Sequence, residues 1–166
     1  MSFVGIAKMK VKGFTLIEVL VTLALFAIIT TSVAPSVNNF FVRNKVAATV
    51  NNISSALQFA RHTSISENVF VVVCPTNDME NCTGDSDWTP TKMVFVDENN
   101  NRQLDDNEEI IGSADIVRDF HIKSTRDEIV FAPVNTAGTT TATISICRKE
   151  DINNFARALS ISNVGR

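Results

Sequence analysis

Twenty residues, Phe14 to Val33, form an apolar stretch that contains one charged residue, Glu18. As a helix rising about 1.5 Å per residue, the stretch is about 30 Å long, the thickness of a bilayer's hydrocarbon core. The leader before it, Met1 to Gly13, carries Lys8, Lys10 and Lys12 and no acid. Basic residues ahead of an apolar span hold that end in the cytoplasm, so the expected topology has the N-terminus inside and everything after Val33 outside. A cleavable secretory signal has a shorter apolar region followed by a small-residue site. Here no A-x-A-like site follows, and the small residue Gly13 precedes the run. Glu18 is the second departure, because an unpaired carboxylate in hydrocarbon is costly and marks a functional position by default. No cation lies near it within the span. Cleavage between Gly13 and Phe14 creates one, the new α-amino group of Phe14.

The motif Gly13-Phe14-Thr15-Leu16-Ile17-Glu18 resembles the class III leader of type IV pilins and type II secretion pseudopilins. The resemblance implies cleavage after Gly13 by a prepilin peptidase and N-methylation of Phe14. It also implies that Glu18 aids assembly by pairing with the Phe14 amine of a neighbouring subunit. The implied partners are other major and minor pilins, the inner-membrane assembly platform and the lipid bilayer. The implied location is the bacterial inner membrane, with a periplasmic head, and then the filament. Pro35 stands near the end of the apolar run, where a proline removes a helix bond and introduces a kink. It is similar to a proline of many pilins at which the helix loosens on assembly. The expected divisions are a cleaved leader 1–13, a transmembrane and filament-core helix 14–35, and a periplasmic head 36–166.

Val46, Val50, Ile53, Leu57 and Ala60 recur at steps of three and four, the stripe of an amphipathic helix over 36–66 that packs on a sheet. From Val69 the pattern becomes β-branched and aromatic, giving a β head over 69–166. Runs at 69–74, 92–97, 109–111, 116–122, 128–131, 141–147 and 158–162 read as strands. One long helix followed only by strands indicates an α+β fold with an antiparallel sheet head, pilin-like in the light of the leader.

The chain has 15 basic and 18 acidic residues. Removal of the leader's three lysines leaves 12 against 18, a net charge of −6, which does not favour a polyanionic partner. Three cysteines in an oxidising compartment make one disulfide with one thiol left over. Cys74 and Cys82 enclose a turn-rich loop and are the favoured pair, with Cys74–Cys147 the rival. Cys74-Pro75, Cys82, Trp88, Val94-Phe95-Val96-Asp97, Asn99, Asp105 and Glu108 or Glu109 follow an order that resembles the head of FimT/FimU-type minor pilins and the GspH-type pseudopilin. Lys92 stands where a glycine is common in that subgroup.

Asp97, Asn99, Asn101, Asp105 and Glu108 have the oxygen-ligand spacing of an EF-hand calcium loop. Arg102 occupies the place of the tight-turn glycine, and a strand precedes the loop. The alternative is an Asn- and Asp-rich connection between strands. Trp88 reads as a residue pinning its loop to the sheet. His62 and His121 have no adjacent nucleophile, and no nucleophile elbow or phosphate loop is present. The chain therefore reads as non-enzymatic, without a cofactor. Arg148, Lys149, Arg157 and Arg166 are the candidates for DNA contact, interspersed with acids as on a solvated face. The resulting expectation is a structural minor pilin that helps initiate type IV pilus assembly, for twitching, adhesion or DNA uptake. A type II secretion pseudopilin and a DNA-binding pilus subunit are its alternatives.

Overall fold

The computed structural model describes residues 13–115, 118–149 and 156–162, and of residues 32–36 and 38–39 the backbone alone. One helix, α1 (Leu16–Glu67), precedes seven strands. These are β1 (Phe70–Thr76), β2 (Thr91–Asp97), β3 (Ile110–Ala114), β4 (Phe120–Ser124), β5 (Ile129–Phe131), β6 (Ala142–Arg148) and β7 (Arg157–Ile161). The α+β class expected from one long helix followed only by strands is the one observed. Asn68 ends α1 with φ 58°, a left-handed position that asparagine tolerates better than most residues.

The chain divides into two compact units, Met1–Phe41 and Val42–Arg166. In the first, Phe14, Leu16, Ile17, Leu23 and Phe26 are all exposed, on every side of the helix. Among the described residues no helix is long and apolar enough to cross a membrane. The part of α1 with described side chains before the gap, Leu16–Thr31, measures about 24 Å at 1.5 Å per residue; the apolar sequence continues to Val33.

In the second unit α1 buries Val42, Val46, Thr49, Ile53, Leu57, Ala60 and Ser64, spaced as one helical face. The strands form two antiparallel sheets, ordered β3-β2-β1-β5 and β4-β6-β7. Both contribute to the core against α1: Val71, Val73, Val94 and Ile129 from the first, Phe120, Ile122, Ile144 and Ile146 from the second. The other face of the first sheet is also covered. Val72, Cys74, Met93, Phe95 and Val130 form a second cluster under Met79, Cys82 and Leu104, which come from loops. Ser64 donates to the Phe131 carbonyl at 3.0 Å and ties α1 to β5. Gly112 of β3 lies under Phe59; a Cβ there would stand 3.4 Å from the ring.

Most strand limits differ from expectation by one residue, and those of β1, β3 and β4 by more; β3 continues past Ile111 to Ala114. β1 continues through Pro75 to Thr76. The Pro75 carbonyl faces Thr83, whose N–H donates to it at 2.8 Å. The proline nitrogen faces the same way, so its missing N–H removes no bond to β2. The run read at 116–122 is β4 from Phe120 onward, Ile116 and Val117 lying outside the described residues.

Candidate functional site

Gly13 and Phe14 precede α1, and Glu18 lies in its first turn. Thr15 is the residue before the helix, and its carbonyl accepts the first helical bond, from Val19 N–H at 3.2 Å. Its hydroxyl accepts from the Glu18 N–H at 3.3 Å, and Glu18 Oε2 accepts from the Thr15 N–H at 3.5 Å. This reciprocal arrangement is a capping box, satisfying donors that the first turn leaves unpaired. The Thr15-x-x-Glu18 spacing is its sequence signal, although the cost of a membrane acid does not itself reveal it. A carboxylate at a helix N-terminus is also favoured by the helix dipole. Gly13 is exposed and a Cβ placed on it meets nothing within 4 Å. α1 continues through Pro35, whose side chain lies outside the described residues.

Cys74 and Cys82 form a disulfide with an S–S distance of 2.03 Å and Cα atoms 5.6 Å apart. Cys147 of β6, in the other sheet, is the free, half-buried thiol. Within the bridged loop, Asp78 accepts from the backbone N–H groups of Glu80 and Asn81, both at 2.9 Å. Those bonds hold its carboxyl well below the usual carboxylate range.

The acidic loop brings its five candidate ligands together, but links them through its own donors. Asp97 is fully buried, and its two oxygens accept from the backbone N–H groups of Asn101 and Arg102, each at 3.0 Å. Asp105 Oδ2 accepts from the side-chain amides of Asn99 at 2.7 Å and Asn101 at 2.8 Å. Glu108 accepts from the N–H of Glu98 at 2.9 Å and of Asp105 at 3.1 Å. Arg102, at φ 65°, takes the left-handed turn and pairs with Glu128 at 3.1 Å. Burial raises the Glu128 carboxyl above its ordinary range, and Arg102 opposes that rise. Among the described residues no group of three His, Cys, Asp or Glu side chains is placed to hold a metal ion.

Of the basic candidates, Arg148 ends β6 opposite Phe120, and Arg157 opens β7 opposite Ile146. The Lys149 N–H donates to the Asp119 carbonyl at 3.2 Å. Asp119 pairs with Lys45 and is depressed mainly by that bond, Arg148 and Lys149 adding to the effect. Arg166 lies outside the described residues. Trp88 is fully buried; its ring N–H donates to the Arg126 carbonyl at 2.9 Å and its backbone N–H to Ile122 at 2.8 Å. It therefore pins its loop to β4, as its position suggested.

The sequence pattern does not signal the burial of two cations, Lys92 in full and Arg61 in part. Lys92 is 1% exposed on β2, and its amine donates to the Asp115 carbonyl at 3.4 Å. Burial pushes its pKa down to about 8, against the pull of Asp87 and Asp115. The other is the Arg61 guanidinium, whose Nη1 is shielded from solvent and has no hydrogen-bond partner among the described residues.

Residues 49–165 match the family described as Type II transport protein GspH, and residues 8–34 match the prokaryotic N-terminal methylation motif. No curated protein gives a significant match. Among solved structures, the Pseudomonas aeruginosa PAO1 type IV minor pilin FimU is similar in two crystal forms. In space group P65 the TM-score is 0.54 at 18% identity over 72% of this chain and 88% of FimU. In P21 it is 0.54 at 19% identity over 76% and 89%. The fold of the head is thus that of a minor pilin, and the chain belongs to the GspH family, a pilin-like protein of the minor pilin and pseudopilin class.

Proposed function

We propose that this protein is a structural minor pilin of a type IV pilus that helps initiate filament assembly. The observation that carries this reading is the first unit. It is a helix exposing apolar side chains all round, with one acid in its first turn, Glu18. Such a helix needs apolar surroundings on every side, which a bilayer supplies before assembly and a bundle of like helices afterwards. The open space around Gly13 means that the fold does not require glycine there; a peptidase acting between Gly13 and Phe14 does. The freed and N-methylated Phe14 amine of one subunit then neutralises Glu18 of its neighbour, and Pro35 is where the helix loosens as the subunit leaves the membrane for the filament. The head resides in the periplasm until the inner-membrane platform adds the subunit, and the protein acts without catalysis.

The family match favours a second reading, a minor pseudopilin of a type II secretion system. The two share leader, helix and membrane chemistry. Purifying intact filaments from the native host and identifying the co-purifying subunits tests both. Major pilin together with this chain, beginning at methylated Phe14, supports the pilus. Secretion pseudopilins in its place support the second reading, and a chain still starting at Met1 overturns both.

A further inference from the structure

A groove of about 410 Å³ opens on the head between α1 and β7. Leu57, Phe131, Leu159 and Ile161 make it apolar, and Arg61 enters it from the helix. No acid lines it. Arg61 is half-buried, and among the described residues its Nη1 atom, shielded from solvent, has no hydrogen-bond partner. A buried donor left unpaired is destabilising, and for a charged group more so than for a neutral one.

The strand beside the groove is also half used. β7 pairs with β6 alone among the described residues. The direction of its remaining bonds follows from β6. Thr143 uses both its N–H and its C=O on the β4 side, donating to the Thr125 hydroxyl and accepting from the Thr125 N–H, each at 3.0 Å. Thr143 and Ser145 therefore face β4, while Ala142, Ile144 and Ile146 face β7, since residues along a strand alternate in direction. Their partners Ile161, Leu159 and Arg157 are bonded inward. Ala158 and Ser160 thus direct their N–H and C=O groups outward, and Ser160 lines the groove.

From this juxtaposition we infer that the groove receives an extended, acid-bearing segment of a different pilin subunit. The segment adds a strand to the outer edge of β7 and places a carboxylate on Arg61. Strand addition satisfies Ala158 and Ser160 through main-chain bonds, and alternate side chains enter the apolar groove. A carboxylate suits the guanidinium because its two oxygens match the fork of N–H donors. A second copy paired edge to edge through β7 is disfavoured. Its only charged strand residue is Arg157, so such pairing would gather cations without an acid. The inference rests on the reading of the protein as a filament subunit.

The test places a photo-crosslinking amino acid at Gln58, on the helical rim of the groove, in the full chain expressed in its native host. The expected product is a crosslink to another pilin, in a peptide with Asp or Glu within a few residues of the joint. Arg61→Glu is expected to lower the yield about tenfold or more, as for loss of a buried charge pair. Ser160→Pro removes an outward N–H without touching the β6 ladder and is expected to lower it similarly. Melting temperatures of both variants show whether the head remains folded; if Arg61→Glu unfolds it, Ser160→Pro decides. The inference is overturned if the chain is present in filaments without a crosslink, if the crosslink persists in a folded Arg61→Glu variant, or if the joined peptide comes from a second copy. Absence of the chain from filaments instead overturns the functional reading and this inference with it.

Discussion

Glu18 reaches back to the N–H of Thr15 with one carboxylate oxygen, Oε2, and the Thr15 hydroxyl accepts the N–H of Glu18 in return. The acid thus has a local role in starting α1 besides the role proposed in assembly. The two are separable by substitution. Glu18→Gln keeps an acceptor for the capping box but removes the charge, whereas Glu18→Ala removes both. Helix start in Glu18→Ala is expected to weaken by about 1 kcal/mol, with little change in Glu18→Gln. Both are expected to insert in the membrane and to be lost from filaments, as quantified by mass spectrometry of membranes and filaments. Normal incorporation of Glu18→Gln would mean that capping, not charge, is what the position provides.

Gly13→Val should leave the fold unchanged, because the added side chain points into open space. The expected result is accumulation of the full precursor, read from the intact mass, with the melting temperature of the head unaltered. Processing at the normal rate would remove the peptidase from the account.

Asp97 holds two backbone donors from inside the head. Asp97→Ala orphans both and is expected to lower stability by about 2–3 kcal/mol, while Asp97→Asn, which keeps an acceptor, loses less. Chemical denaturation of the head measures the difference. Millimolar calcium is expected to leave the melting temperature of the wild-type protein unchanged, since the loop's own donors already occupy its oxygens. A calcium-dependent rise would show that these contacts rearrange around an ion.

Lys92 predicts a pH dependence of definite sign. Its pKa falls from 10.5 in the unfolded reference to about 8 in the fold, with burial the leading cause. Below pH 8 the lysine is charged in both states, and the penalty of burying that charge is felt in full. Between pH 8 and 10.5 the folded state holds fewer protons than the unfolded one, so this residue makes stability rise with pH. Lys92→Met should therefore stabilise the head at neutral pH by about 3 kcal/mol, the gain vanishing as the pH passes the unfolded pKa. Paired melts of wild type and variant across that range provide the check.

The disulfide closes a loop of short sequence separation, 8 residues. Replacing Cys74 and Cys82 together with serine is expected to cost about 2–3 kcal/mol by the chain-entropy estimate for small loops. A melting curve of the double variant, set beside wild type with and without reductant, measures it. Cys147→Ser is expected to change little.

The helix was legible because its buried face repeats at three and four residues through Val46, Ile53, Leu57 and Ala60. Strands were legible from β-branched runs, such as Val71 to Val73. Their division into two sheets was not: alternation assigns side chains to faces, but Val94 and Ile144 look alike as core residues although they belong to different ladders. The acidic loop was legible as a set of oxygens at calcium-like spacing. Which donors fill those oxygens depends on left-handed turns at Asn100 and Arg102, and spacing does not encode them. Lys92 and Arg61 were opaque for a different reason. A lysine beside Thr91 or an arginine beside His62 reads as exposed until the strands or helix around it are assembled.

No strand is common to the β3-β2-β1-β5 and β4-β6-β7 sheets, so the ladder that ends at β7 is separate from the one clamped by Cys74–Cys82. A strand docked at β7, as inferred above, would lengthen that ladder and leave the hydrogen bonds of the disulfide-clamped sheet in place, so arrival and departure need break no bond within the head.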